Sequence, residues 1–334
     1  MPRTSNQKLK SHAITQVLQD YSDEEHPLSA TELIGHLLRY GITAERRTIY
    51  DDIEQLQRFG VPIEQVKGHT AGYYIAERPF ELAELKVLVD AVSSSRHLST
   101  KRSERLIRRI SSLGSVHQAK QLNRQVSCYR LPKTPNETVI YIVDALNTAL
   151  DQQKQISFRY FDYDAKLQRV YRKEGQSYVR SPIGLTWSDD CHYLIAYSSK
   201  YAGFAHFRID RMSDVVVLEN RAERPPQGKS NLAEYGGTIF GMYGGEAIQV
   251  TLSFDPSLIN NILDRFGYKV RMQREANGWV TVNARIVPSP TFYAWLVQFG
   301  NRARIIKPKV CQEGLQSLVS EVSGIYKAQT QVQC

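Results

Sequence analysis

No run of apolar residues in this chain nears the ~20 that a membrane span requires. The opening stretch, Met-Pro-Arg-Thr-Ser-Asn-Gln-Lys-Leu-Lys, lacks the apolar core of a signal peptide. Together these absences predict a cytoplasmic protein with no membrane partner. Cysteine is scarce and scattered: Cys128, Cys191, Cys311 and Cys334 form no Cys-x-x-Cys pair. That argues against a disulfide framework or a cysteine-based zinc site and fits reduced thiols. The signatures of catalysis are missing too. There is no Gly-x-x-x-x-Gly-Lys phosphate loop, no Gly-x-Gly-x-x-Gly after a strand, no His-Glu-x-x-His and no Gly-x-Ser-x-Gly. Asp189-Asp190 falls in a hairpin turn, where adjacent carboxylates are solvated. Repeats and low-complexity segments are absent. The expectation is a protein that is not an enzyme, with no catalytic residues, no metal site and no cofactor.

What the chain does have is length and positive charge. Its 334 residues suffice for two or three domains, and 42% hydrophobic content is ordinary for a globular protein. The formal net charge of +9 points toward a polyanionic partner. Where that charge sits says more. Residues 1–78 hold nine Lys and Arg against eleven Asp and Glu, a net charge of −2. Residues 79–125 hold nine against four, a net charge of +5. A DNA-binding reading of the first domain therefore rests on local placement of charge.

Apolar residues at Leu9, Ala13, Ile14, Val17 and Leu18 define one face of a first helix. Ser29 is an N-cap for a second helix over 30–40, with Glu32 at the capping-box position and Gly41 as its stop. Thr43 is expected to cap a third helix over 44–59, closed by Gly60. Its inward positions are Ile49, Ile53 and Leu56, which leaves Arg46, Arg47, Thr48 and Tyr50 outside. Strand-like runs at 61–66 and 73–76 flank a turn and read as a hairpin. Cap, helix, turn, helix and hairpin in this order is the plan of a winged helix-turn-helix, whose third helix enters the major groove. Arg46 and Arg47 suit phosphate or guanine, and Thr48 and Tyr50 suit a phosphate or a thymine methyl. Lys67, His69 and Thr70 at the wing tip complete the DNA-binding set. Asp51 cannot neutralise a phosphate and is expected to face protein or a cytosine amino group. The bland alternative is a three-helix packing module.

Helices are expected over 81–94 and from 99 to about 113. The second of these turns Leu106, Ile107 and Ile110 inward and Lys101, Arg102, Arg105, Arg108 and Arg109 outward. That charged face is either solvated or laid along a DNA backbone. Residues 111–131 read as a polar boundary ending in Pro132 and Pro135. A helix over 136–150 and about five strands to residue 218 form a compact barrel. A linker rich in Pro and Gly follows. Strand, helix, strand, strand, helix, strand then gives a split βαβ, ferredoxin-like order.

Within the barrel lies the most informative block, Tyr178 to Arg211. It holds His192-Tyr193-Leu194 on one strand and Phe207-Arg208-Ile209-Asp210-Arg211 on the next. Period-two alternation is expected to put His206, Arg208 and Asp210 on one face and Phe207, Ile209 and Arg211 on the other. This block resembles the WYL domain of bacterial transcription regulators, in which a Trp-Tyr-Leu strand precedes a Phe-Arg-x-Asp-Arg strand. The second motif matches in full; in the first, His192 stands for the Trp. Trp187 lies upstream across the turn and does not restore the motif. The third helix likewise resembles the recognition helix of DeoR-type regulators, and residues 79–135 resemble their dimerisation linker.

The resemblance implies an α+β multidomain chain. Its parts are a winged helix-turn-helix over 1–78, a helical linker over 79–135, an Sm-like β-barrel effector domain over 136–222, a linker over 223–245 and a ferredoxin-like WCX extension over 246–330. It implies a homodimer on double-stranded operator DNA and an effector that is a single-stranded nucleic acid or nucleotide. The candidate effector residues are Ser181, His192, Tyr193, His206, Arg208 and Arg211. Against that stands the possibility that the two arginines pair with Asp210, Asp214 or Glu219 and hold the barrel shut. A second function class also remains open: a single-stranded nucleic-acid-binding accessory protein of a defence or DNA-damage system, without a promoter role.

Overall fold

The computed structural model describes residues 9–68, 71–125, 132–188, 190–201, 203–225 and 240–332. The chain forms two compact units, Met1–Glu137 and Thr138–Cys334.

The first unit opens with α1 (Lys10–Tyr21), α2 (Ala30–Leu38) and α3 (Arg46–Arg58), followed by the antiparallel hairpin β1 (Ile63–Val66) and β2 (Gly72–Ile75). Ser29 caps α2 through the reciprocal bonds with Glu32 that its sequence promised. At α3 the expected cap does not form. Residues 42–45 stay out of the helix, and Glu45 rather than Thr43 occupies the N-cap position. Gly60 ends the helix at φ +99°, a left-handed conformation that glycine adopts without strain. One core joins Ile14, Val17 and Leu18 of α1, Leu33 and Leu37 of α2, Ile49 and Ile53 of α3, and Ile63 and Ile75 of the hairpin.

Three more helices complete this unit: α4 (Leu82–Ser94), α5 (Thr100–Ser111) and α6 (Val116–Gln125). α6 occupies a stretch expected to be an irregular boundary. Its Leu122 is fully buried against Leu85, Val89 and Ile107. Polar contacts clip this layer to the first three helices. Arg78 donates to the carbonyls of Gln19 (2.8 Å) and Ser22 (2.7 Å). The Ser115 hydroxyl donates to the buried Asp23 carboxylate, and His26 stacks on His117 at 3.8 Å.

The second unit begins with α7 (Val139–Asp151). Six strands follow: β3 (Lys154–Tyr163), β4 (Arg169–Tyr171), β5 (Tyr178–Ser188), β6 (Cys191–Ser198), β7 (Gly203–Arg208) and β8 (Met212–Arg221). They pair antiparallel in the order β4-β3-β5-β6-β7, with β8 on β3. β3 carries the curl: its residues 161–163 pair with β4, 156–158 with β5, and its other edge with β8 across two bulges. Among the described residues β7 pairs only with β6, so the sheet is a half-barrel and does not close. α7 lays Val139, Ile142, Leu146 and Ala149 into its hollow, against Phe158, Tyr178, Leu194 and Phe207.

Next come β9 (Ile248–Phe254), α8 (Ile259–Phe266), β10 (Met272–Arg274), β11 (Val280–Ile286), α9 (Pro290–Val297), β12 (Ala303–Lys307) and α10 (Lys309–Val332). The sheet order β10-β11-β9-β12, all antiparallel, is that of a split βαβ unit. Phe254, Ile262, Phe292, Leu296 and Ile305 pack between its sheet and helices.

Candidate nucleic-acid and effector interfaces

α3 buries Ile49 and Ile53 and leaves its first turn in water. Arg46, Arg47 and Tyr50 are exposed there. Arg46 Nε donates to the Tyr50 hydroxyl at 2.8 Å, and its guanidinium lies over that ring. Arg47 has no hydrogen-bond or ion-pair partner among the described residues. Thr48 is half-buried, and its hydroxyl donates to the Glu45 carbonyl at 2.8 Å. Two cations at a helix N-terminus oppose the macrodipole, and no acid in that turn offsets them. Their presence calls for a reason other than helix stability. Asp51 is exposed, whereas Asp52 pairs with Lys10 of α1 at 2.6 Å. Tyr50 also approaches Tyr73 of β2, with ring centroids 6.3 Å apart, so helix and hairpin meet at this end. Lys67 is exposed at the hairpin tip; His69 and Thr70 lie outside the described residues.

The half-barrel sorts its candidate residues by register. Tyr193 pairs with Arg208, Leu194 with Phe207, and Ile195 with His206. Tyr193, His206 and Arg208 therefore share one face, and Leu194 and Phe207 point into the core on the other. By the same alternation His192 leaves the Tyr193 face. It pairs across the hairpin with Trp187, and the two rings stack at 4.4 Å and 3°. Trp187 thus covers the imidazole that stands at the motif's Trp position, from the neighbouring strand.

The alternation predicted to run through Arg211 stops at Arg208. Residues Ile209–Arg211 form a 3-10 turn. The turn brings Asp210 back under Arg208, which donates to it from Nε (3.1 Å) and Nη2 (2.8 Å). This pair raises the Arg208 pKa further and fixes its charge. The Tyr160 hydroxyl accepts the Arg208 backbone N–H at 3.2 Å. Arg211 turns the other way, to Asp162 at 3.1 Å. Arg172 donates to the same carboxylate at 2.6 Å. The Arg172 bond, with help from Arg211, holds Asp162 below the usual carboxylate range. Of the acids expected to compete for these arginines, only Asp210 does so; Asp214 binds Arg159 and Glu219 binds Lys154.

Ser181 does not join this group. It is 0% exposed, and its Oγ accepts the Glu223 backbone N–H at 2.8 Å, so its hydroxyl ties β5 to the end of β8. His206 is half-buried against residues from beyond the barrel. It is hydrogen-bonded to the Met242 backbone, and a Cβ added at Gly244 would touch its ring at 3.7 Å. Phe240, just before, is buried against Phe292 and Trp295 of α9. Burial pushes both His192 and His206 below the ordinary histidine value.

Sequence reading missed Asp162, Tyr160 and the stacking of Trp187 on His192. Spacing gave no signal for the first two, which come from β3; only the pairing of β3 with β4 and β8 brings them to the motif strand.

Among the described residues no cluster of His, Cys, Asp and Glu could hold a metal ion. No described helix is long and apolar enough to cross a membrane. Comparison with known proteins adds the following. Residues 141–217 match the WYL domain and residues 246–322 the WCX domain. An uncharacterized HTH-type transcriptional regulator, YobV of Bacillus subtilis (strain 168), is 22% identical over 305 residues. That alignment covers 84% of this chain and 90% of the relative. Proteasome accessory factor B/C (PafBC) of Arthrobacter aurescens aligns with 93% of this chain at 17% identity and a TM-score of 0.30, too low to speak to fold or function. The chain spans 48% of that solved structure. The half-barrel with the motif strands thus lies in the stretch that matches the WYL domain, and the stretch that matches the WCX domain follows it.

Proposed function

We propose that this protein is a homodimeric, DNA-binding transcriptional regulator. In this reading α1–α3 and the β1–β2 hairpin form a winged helix-turn-helix, and α3 enters the major groove of operator DNA. Arg46, Arg47, Thr48 and Tyr50 meet the groove, while Lys67, His69 and Thr70 reach the flanking backbone. The WYL half-barrel senses a nucleic-acid or nucleotide-like effector through Tyr193, His206, Arg208 and Arg211, and the response alters operator binding.

One observation carries the reading. The WYL and WCX domains follow a unit in which the first turn of α3 exposes Arg46 and Arg47 against the helix dipole. The likeness to an HTH-type transcriptional regulator over most of both chains supports it. The paired carboxylates Asp210 and Asp162 add a condition: an anionic effector must displace or share them.

The test is anisotropy of the full-length protein on duplex DNA from upstream of its gene, with and without short single strands. Arg47→Ala is expected to remove discrimination between that duplex and a scrambled one, at a loss of about 1–3 kcal/mol. Equal affinity of the unaltered protein for both duplexes would sink the proposal.

The accessory-protein reading draws on a different feature. Between residues 159 and 180, Arg159, Arg169, Arg172, Lys173 and Arg180 each lie over an aromatic ring. Such pairs occur about once per 70–80 residues. Three of the four rings, Tyr160, Phe161 and Tyr178, are buried, so what this surface offers a single strand is a dense row of cations held in place on them. Single-strand binding that ignores Arg47→Ala and falls on Arg172→Ala would favour this second reading.

A further inference from the structure

Helix α5 carries a row of cations that its own stability argues against. Lys101, Arg105 and Arg109 recur at i, i+4 and i+8, so they line one face about 6 Å apart. All three are exposed, with exposed Arg108 beside them, while Ser103, Ile107 and Ser111 are buried on the opposite side. Like charges one turn apart destabilise a helix. Lys101 and Arg102 fill a first turn that has no acid, where the macrodipole favours one.

Carboxylates of the chain answer few of these charges. Arg102 reaches Glu137 at 3.6 Å. Arg108 Nε reaches only the Glu104 backbone carbonyl, at 3.3 Å. The side chains of Lys101, Arg105 and Arg109 have no hydrogen-bond or ion-pair partner among the described residues. A face that merely needs water would mix Glu with Lys and gain pairs at i, i+4.

The same unit holds the candidate reading helix, which has no such surplus. Residues 1–78 are net −2, and α3 itself sets Asp51, Asp52 and Glu54 against Arg46, Arg47 and Arg58. Affinity for duplex DNA comes largely from neutralised phosphates and released counterions. The first three helices are poorly supplied for that; α5 is not.

We propose that Lys101, Arg105, Arg108 and Arg109 form a second DNA surface, which grips duplex phosphates independently of sequence and supplies most of the salt-sensitive affinity. The inference rests on the reading of this protein as a duplex binder. A straight row of equally spaced cations suits a phosphate backbone, whose like charges repeat at about 3.4 Å per strand. The preponderance of arginine over lysine suits bidentate phosphate contacts.

The experiment uses the full chain with two labelled duplexes, one from upstream of its gene and one of mixed sequence. Affinity is followed from about 50 to 200 mM salt. The R105Q/R109Q variant is expected to lower the slope of log K against log salt by about 1.8, at about 0.9 per lost phosphate contact. The affinity loss should be alike on both duplexes, because phosphate contacts carry no sequence information.

An unchanged slope in an R105Q/R109Q protein with wild-type helicity and melting overturns the inference and leaves groove reading by α3 standing. A lowered slope combined with indifference to Arg47→Ala upholds the α5 surface and overturns groove reading. Failure of the unaltered protein to bind either duplex overturns both. Unchanged DNA binding with loss of polyglutamate binding overturns the inference in favour of an acidic protein partner. Should the double variant fail to fold, K101Q carries the same test, with an expected drop of about 0.9.

Discussion

Gly72 marks where the hairpin meets the chain entering α2. A Cβ there would lie 2.7 Å from the Leu28 carbonyl carbon, 2.8 Å from its oxygen and 2.9 Å from the Pro27 carbonyl carbon. These are backbone atoms, already fixed by paired hydrogen bonds between Leu28 and Tyr73, so they cannot yield cheaply. Gly72→Ala is expected to cost about 1–3 kcal/mol, read as a lower urea midpoint at unchanged m-value. Histidines set a second prediction. Burial holds His36, His192 and His206 below the ordinary histidine value. The unfolded chain then takes up protons first as pH falls through about 6.5. Their contribution to stability is complete above that pH and is lost as pH falls through the lowered folded-state values. The melting temperature should therefore decline as pH falls below about 6.5, and His206→Gln should flatten the decline. A flat profile in the unaltered protein would contradict the assignment. Arg208→Ala makes a third. It removes the guanidinium on the Tyr193 face and leaves the Asp210 charge without that cation, so it should weaken effector binding and leave the duplex affinity of the full chain unchanged, both followed by anisotropy.

At the scale of elements, periodicity was a good guide where an element buries a wide apolar face, and capping was so at α2 but not at α3. The α2 capping box, the inward residues of α3 and the strand order of the last domain were all legible. α6 was not. Among its described side chains it buries essentially one, Leu122, and its sequence shows no stripe. α4 shows the opposite mismatch between polarity and burial: Val87 and Leu88 are exposed while Ser93 is buried. The helices α4–α6 meet along a narrow seam that small residues such as Ser93, Ser103 and Ser111 fit. Leu122→Ala tests this seam. It should destabilise the first unit by about 2–4 kcal/mol and leave the unfolding of the second unchanged, seen as two separable calorimetric transitions. For the site, Tyr193 and Arg208 were each legible from the motif, and the β6–β7 register sets them opposite each other. Asp162 did not, because a ladder between distant strands, not local spacing, places it. The 3-10 turn at Ile209–Arg211 was hidden by a pattern that alternates convincingly up to its last residues.

Across the whole molecule, charge and aromatic residues are partitioned differently. Basic excess is concentrated in residues 79–125, next to a first domain that is net acidic. Tryptophan is confined to the second unit, at Trp187, Trp279 and Trp295. Trp295 is enclosed by Phe240, Phe254, Phe266 and Phe299. Trp279 lies under the Arg304 guanidinium. Trp187 is 54% exposed and stacked flat on His192. The protein therefore carries its own optical reporter. Its ultraviolet emission is blind to the unit proposed to hold DNA, whose aromatic side chains are tyrosine and phenylalanine. The exposed, red-shifted part of that emission comes from the indole on the motif hairpin. Anything that slides between that indole and the imidazole, or protonates the imidazole beneath it, changes the glow of one hairpin and nothing else.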